Sequence, residues 1–203
     1  ICYYGVNTED FRPLPDVSKE GHLLSVGEMT PRKGFDFLIE SLAYIPMDKR
    51  PPLRLVSNLI DSAERKYLEE MAGEKHIRLD ILFHLDSQQL AMEYNKTKLC
   101  VYSPVAEPLG LVPLEAMACG TPVVGVAEAG VCETIRHGRT GLLVERNPKR
   151  FADAIVTITE DDQLRSQLAD EGPKYIEREW SWSRSTAIIE KHLVEVAREI
   201  PCV

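Results

Sequence analysis

Apolar positions fall into two alternating rhythms along the chain. Runs of strand length, HLLSVGE (22–28), LRLVSN (53–58), IRLDILFHL (77–85), LCVYSP (99–104), PVVGVA (122–127) and GLLVE (141–145), are separated by longer stretches with apolar residues at helical spacing. Between 35 and 45 the repeat is Phe35, Leu38, Ile39 and Leu42, and a charged helix follows near 61–74 with Asp61 and Ser62 as candidate caps. Further helices are predicted from about Ser87 to Asn95 and over 111–120, the second stopped by Gly120. Helices also fill most of 148–199, and WSWSRSTAIIEKHLVEVAREI (180–200) reads as one long amphipathic helix after a polar break. The Pro-rich patch at 48–54 is a helix-to-strand loop, and no internal repeat is visible.

Strands separated by helices of this length are βαβ units, because two parallel strands need a crossover connection between them. The expected fold class is α/β, a doubly wound parallel sheet of Rossmann-like type. Such sheets bind ligands at the carboxyl ends of their strands. The loops to question are therefore TPRKG, SNLID, FHLDS, PVAEPLG and AEAG.

Composition narrows the function classes. With 203 residues, 44% hydrophobic and 28% charged, the chain is an ordinary globular domain or a tight pair, long enough to bury its own core. Setting 24 bases against 32 acids leaves a net charge of −8, which disfavours a protein that coats nucleic acid or anionic membrane. No apolar run approaches the ~18 residues of a membrane helix, and the first residues lack a signal-peptide pattern. A cytoplasmic location is the expectation. The five cysteines form no C-x-x-C and read as reduced thiols packed as small hydrophobes. The chain opens at Ile1, without methionine and inside a β-like run, as a piece of something longer would.

The densest chemistry lies in PVAEPLGLVPLEAMACGTPVVG (104–125). Gly110 directly precedes a helix beginning near Leu111, so free backbone N–H groups and the positive dipole end form an anion site at the ligand edge. Glu107 sits in the preceding loop, and Glu115 lies one turn into a helix otherwise built of apolar residues. A carboxylate there must find donors or shift its pKa, and a pair of sugar hydroxyls would serve. Taken alone, each glutamate is an ordinary loop or helix acid. Lys33 in TPRKG points from a strand-to-helix loop and suits a phosphate, or water. Gly130 and Val131 open another short helix, which Glu133 is expected to cap. The histidines show no H-x-H or H-E-x-x-H, so no metal site is expected; His84 alone stands at the ligand edge. No G-x-S-x-G, P-loop or G-x-G-x-x-G occurs, which lowers hydrolase, phosphoryl-transfer and nicotinamide chemistry.

Four segments, GVNTEDFRP (5–13), SVGEMTPRKGFDFLIESL (25–42), AEPLGLVPLEAMACGTPVVG (106–125) and AGVCETIRHGRTGLLV (129–144), resemble in order and spacing one known family. It is the carboxy-terminal domain of retaining GT-B glycosyltransferases of the glycogen-synthase and mannosyltransferase-like group (family four type, glycosyl transferases group 1). E-P-L-G-L-V-P-L-E is similar to that group's E-x7-E signature. The resemblance implies two Rossmann-like domains with the active site in the cleft between them. This chain would be the donor-binding half: 1–203 as one domain, 1–13 a crossover remnant, and about 180–200 a closing helix packing toward the missing half.

By the same resemblance, Glu107 hydrogen-bonds hydroxyls of the donor sugar, and Gly110 and Leu111, with Val112 beside them, offer backbone N–H groups to the distal phosphate. Lys33 is the cation on the diphosphate, and Glu115 holds the ribose hydroxyls. Glu28 occupies a donor-binding position where the group commonly has arginine, Ser57-Asn58 replaces a glycine-rich loop, and Cys132 replaces a usual proline. The implied activity is metal-independent, cofactor-free transfer of a hexose from a nucleoside diphosphate sugar to a glycan or lipid-linked acceptor. The implied partners are the nucleotide-sugar donor, the acceptor and the missing N-terminal acceptor-binding domain of the same chain, with no nucleic acid and no transmembrane segment. Attachment to a membrane would be peripheral, through that missing half. Two alternatives stand beside this: a nucleotide-sugar-binding module that is inactive as an isolated fragment, and a GT-B-fold epimerase or phosphorylase relative.

Overall fold

The computed structural model describes Tyr3–Glu199, the side chain of Glu199 excepted. Six strands, β1 (Glu20–Val26), β2 (Leu53–Ser57), β3 (Leu79–Phe83), β4 (Thr97–Tyr102), β5 (Val123–Val126) and β6 (Gly141–Val144), form one sheet in the order β3-β2-β1-β4-β5-β6. Every neighbouring pair is parallel. The order reverses between β1 and β4, which is where a doubly wound sheet opens a crevice at its carboxyl edge.

Alternation along the strands builds two cores, because successive side chains point to opposite faces. Leu23, Leu53, Leu55, Leu99, Val101, Val124 and Val126 pack against α1 (Phe35–Ala43), α2 (Ser62–Glu74) and α6 (Pro148–Glu160). Leu24, Val56, Cys100, Tyr102 and Val123 face α3 (Ser87–Lys96), α4 (Leu111–Ala118) and the short α5 (Val131–Thr134). Behind α4 lies α7 (Asp162–Glu179), so close that a Cβ at Gly172 would stand 2.7 Å from the Met117 carbonyl oxygen. A helix held between sheet and helix is apolar nearly all round, which accounts for Leu114, Ala116, Met117 and Ala118.

Caps fix several element ends. Asp61 accepts from the N–H groups of Ala63 and Glu64 at 2.8 and 3.2 Å, and Asp86 with Gln89 forms a reciprocal capping box on α3. The region 148–199 divides into three helices. Asp161 caps α7, accepting from Leu164 N–H, and Trp180-Ser181 separates α7 from α8 (Trp182–Glu199). That last break is held from outside: Val6 N–H donates to the Trp180 carbonyl at 2.7 Å, and Val6 bridges Ser181.

Two expectations need correction. Cys100 and Cys119 are buried free thiols, but Cys132 is exposed, because α5 turns Val131 and Thr134 inward and leaves residue 132 on its outer side. Glu133 does not cap α5; its carboxylate accepts from the Tyr3 hydroxyl and fastens the entering chain. Cys2, Cys202 and the outermost residues of 1–13 and 180–200 lie outside the described residues.

Candidate active site

Three loops at the carboxyl edge are tied to one another by backbone contacts. After β1 the chain makes a 3-10 turn, Pro31–Lys33, and enters α1 through Gly34 at φ 66°. A Cβ at Gly34 would lie 2.3 Å from the Ser103 carbonyl oxygen, so only glycine admits this approach. Ser103 Oγ donates to the Gly34 carbonyl at 2.7 Å, and Val105 N–H to the Arg32 carbonyl at 2.8 Å. The β5–α5 loop closes from the other side, where Gly130 N–H donates to the Glu107 carbonyl at 2.9 Å. A Cβ at Gly130 would meet the Pro108 carbonyl oxygen at 2.1 Å.

This arrangement brings Lys33 to Glu107. Lys33 Nζ donates to Glu107 Oε2 at 2.9 Å, with both side chains 16% exposed. The lysine stem runs over Gly27, whose missing side chain makes room for it. Three residues past Glu107, Gly110 sits at φ 87° as the N-cap of α4 with no side-chain cap, and no acid occupies the first turn. The leading N–H groups of α4 therefore have no partner within the helix and carry its positive partial charge.

Leu111, Val112 and Glu115 share the open side of α4, residues 111 and 115 being one turn apart, while Pro113, Leu114, Ala116 and Met117 face inward. Glu115 Oε2 accepts from the Tyr94 hydroxyl at 2.9 Å. Burial pushes the Glu115 carboxyl up to about 7, against the opposing effect of the Tyr94 hydrogen bond. A carboxyl in that condition ionises readily once further donors reach it.

Glu28 and His84 stand apart from this cluster. Glu28 is exposed and lines a cavity of about 200 Å³ with Val26, Gly27, Val56, Asn58, Leu85 and Leu90. His84 is exposed in a left-handed conformation, φ 56°, and makes no hydrogen bond to the other candidates. The described residues hold no group of three or more His, Cys, Asp or Glu suited to a metal ion, and no helix long and apolar enough to cross a membrane.

Sequence reasoning missed three supporting groups. Arg146 makes a two-pronged bond to Glu128, with both N···O distances 2.8 Å, and donates to the carbonyls of Ser103 and Pro104 at 3.1 and 2.8 Å. Its guanidinium also lies 5.2 Å from the Phe37 ring centroid, so one side chain holds the start of the Glu107 loop in position. Tyr102 ends β4 beneath Gly110, and burial together with the Glu107 carboxylate pushes its phenol upward. Each of these residues stands at or just past the carboxyl end of a strand, which was the available signal.

Comparison with known proteins follows the same outline. An uncharacterised glycosyltransferase of Methanocaldococcus jannaschii is 30% identical over 198 residues, covering 90% of this chain and 50% of its own. D-inositol 3-phosphate glycosyltransferase of Corynebacterium glutamicum is 31% identical over 172 residues, covering 80% of this chain and 40% of its own. The chain thus spans half or less of the length of these relatives. Among solved structures, sucrose-phosphate synthase from Thermosynechococcus elongatus superimposes with a TM-score of 0.87 at 28% identity, over 97% of this chain and 52% of that one. Anabaena HepE, solved with UDP and glucose, superimposes at 0.85 with 22% identity, over 95% and 56%. The fold they share is that of GT-B glycosyltransferases. A family model described as glycosyl transferases group 1 runs from residue 6 to residue 175, through every loop of the carboxyl edge, and the chain belongs to that family.

Proposed function

We propose that this chain is the donor-binding half of a metal-independent retaining glycosyltransferase, which moves a hexose from a nucleoside diphosphate sugar to a glycan or lipid-linked acceptor. The observation that carries the reading is the Lys33–Glu107 pair at 2.9 Å beside the uncapped start of α4, with Glu115 on the same open side. Cleaving the bond between sugar and diphosphate places growing negative charge on the leaving phosphate. Lys33 and the N–H groups at Gly110 and Leu111, with Val112 behind them, stabilise that charge without a divalent ion. Glu107, held by Lys33, accepts from hydroxyls of the transferred sugar. Glu115 accepts from the ribose hydroxyls, and its raised pKa couples binding to loss of its proton. HepE, crystallised with UDP-glucose, shares this fold and supports a nucleotide-sugar ligand.

The acceptor side belongs to the missing N-terminal half, consistent with the chain spanning 50% and 40% of the two relatives above. The fragment alone is therefore expected to bind donor without transferring sugar. Calorimetric titration of this chain with UDP, GDP and ADP in a chelator tests the reading. Saturable binding of one base, weakened at least about tenfold in Lys33→Ala and in Glu115→Ala, is the expected result. Parent-like affinity in both folded variants would overturn the assignment. On the full-length protein, the anomeric configuration of the product decides retention.

A further inference from the structure

The cavity of about 200 Å³ beside Glu28 is not used by any of the roles above. It lies on the α3 side of the sheet, with Val26, Val56, Leu85 and Leu90 as apolar walls. Leu90 stands one helical turn before Tyr94, the residue that holds Glu115. A nucleoside with its ribose on Glu115 therefore extends its base along α3 into this cavity, an assignment of the base that rests on the donor reading.

The cavity's polar groups come from the loops that follow β1 and β2. Val26 pairs with Val56, and the pairing continues past the strand ends through Gly27 N–H to the Val56 carbonyl at 3.0 Å and Met29 N–H to the Leu59 carbonyl at 2.9 Å. The register slips by one residue there, Met29 bridging Ile60, and Glu28 and Asn58, from the two loops, line the same cavity. The Glu28 carboxylate has no hydrogen-bond or ion-pair partner among the described residues, and Asn58 makes only a long 3.4 Å contact from Nδ2 to the Leu85 carbonyl. Both side chains remain available to a ligand. The stem of Lys33 crosses the neighbouring Gly27, so the cation lies toward the diphosphate while Glu28 lines the base cavity.

We infer that Glu28 and Asn58 form a base-selecting pair, and that the donor is a guanosine diphosphate sugar. A carboxylate only accepts hydrogen bonds, and it favours an edge carrying two adjacent donors. Guanine presents such an edge in N1–H and its 2-amino group, with O6 beside them for the Asn58 amide. Uracil offers one N–H between two carbonyls, and adenine sets an acceptor nitrogen next to its amino group. Either would bring a lone pair against the carboxylate. Glu28 is thereby a specificity device in a position where a cation would have served the phosphates.

Titration of this chain with GDP, IDP, UDP and ADP, repeated on Glu28→Gln, tests the inference; the residue is exposed, and circular dichroism verifies the fold. GDP is expected to bind about tenfold to a hundredfold more tightly than UDP or ADP, and more tightly than IDP, which lacks the 2-amino group. In Glu28→Gln the preference for GDP over IDP should disappear. Tighter binding of UDP or ADP, or a GDP preference untouched by Glu28→Gln, overturns the inference while leaving the donor reading intact if Glu115→Ala abolishes that binding. Failure of all four ligands to bind removes the donor reading, and this inference with it.

Discussion

Two ionic assemblies sit at opposite edges of the same sheet, and they are built to different rules. Toward the amino edge, Arg54 reaches Glu93 at 2.7 Å, Glu20 at 3.4 Å and Asp80 at 3.8 Å, while Lys96 adds a second contact to Glu93 at 3.0 Å. His22, buried beside them, lies 3.4 Å from the same guanidinium. At the carboxyl edge Lys33 and Glu107 have each other, and next to them stand helix N–H groups and the Glu115 carboxylate with acceptor capacity to spare. The first assembly pairs its charges among themselves, leaving only Arg54 Nε buried without a hydrogen-bond partner among the described residues, and ties β1, β2, β3 and α3 together. The second, on the donor reading proposed above, is completed by a ligand. Charge paired within the fold holds it together, whereas polar groups left open in a crevice are where a ligand is to be sought.

Substitutions should separate the two. Glu93→Ala strips Arg54 and Lys96 of their shared acceptor, and the expected loss is about 2 kcal/mol, between an exposed and a fully buried pair. A urea titration reads this as a lower midpoint, with nucleotide affinity unchanged. Gly130→Ala drives a methyl group into the Pro108 carbonyl oxygen and displaces the Glu107 loop. It should weaken nucleoside diphosphate binding by about tenfold while costing about 1–2 kcal/mol of stability. Lys33→Ala should leave the urea midpoint nearly unmoved and reduce diphosphate affinity by about tenfold in calorimetry. A midpoint loss as large as that of Glu93→Ala would merge the two assemblies into one structural class and defeat the comparison.

The smallest expected effects are those of pH, and they run in opposite directions. Ionic partners hold Glu93 below its ordinary 4.5 despite burial, so its contribution is present above 4.5 and fades as pH falls through the lowered value. Burial first, and then Arg54, lower the His22 pKa from 6.5, so the unfolded chain takes up a proton the fold refuses and stability declines below about 6.5. Glu115, raised from 4.5 to about 7, behaves otherwise: its contribution to ligand-free stability is present below 4.5 and is lost as pH rises from there to about 7, while donor affinity is full above 7 and falls below it. Calorimetry between about pH 5 and 8 should show donor affinity rising with pH through 7, while in urea titrations over the same range His22 and Glu115 act on stability in opposite senses. Affinity flat across that range would mean that the ligand does not use the Glu115 carboxylate.

Much of this was legible in one dimension. The order of strands and helices follows from where apolar spacing changes from runs to turns, and Gly110, Glu107 and Lys33 stand out because strand ends are few. Pairings between distant segments are what one dimension hides. Tyr94 to Glu115, Arg146 to Ser103, and Glu28 in one cavity with Asn58 depend on crossover geometry and strand order, neither of which leaves a local mark. The break at Asp161 was blurred because helix-like periodicity continues across it; the polar break before the last helix was legible, but not that Val6, arriving from the far end of the chain, holds it.

That meeting of Val6 with Trp180 also determines how the molecule carries load. Tension applied between residue 3 and residue 199 enters at a single corner, where a Cβ on Gly5 would lie 2.4 Å from the Trp182 nitrogen. The latch of Val6 on Trp180 and Ser181 lies across the line of force, and the six strands lie outside it. In an optical trap the chain should therefore yield first in a small, weak step as the latch opens and α8 peels away, with the sheet rupturing afterwards as a separate and stronger event.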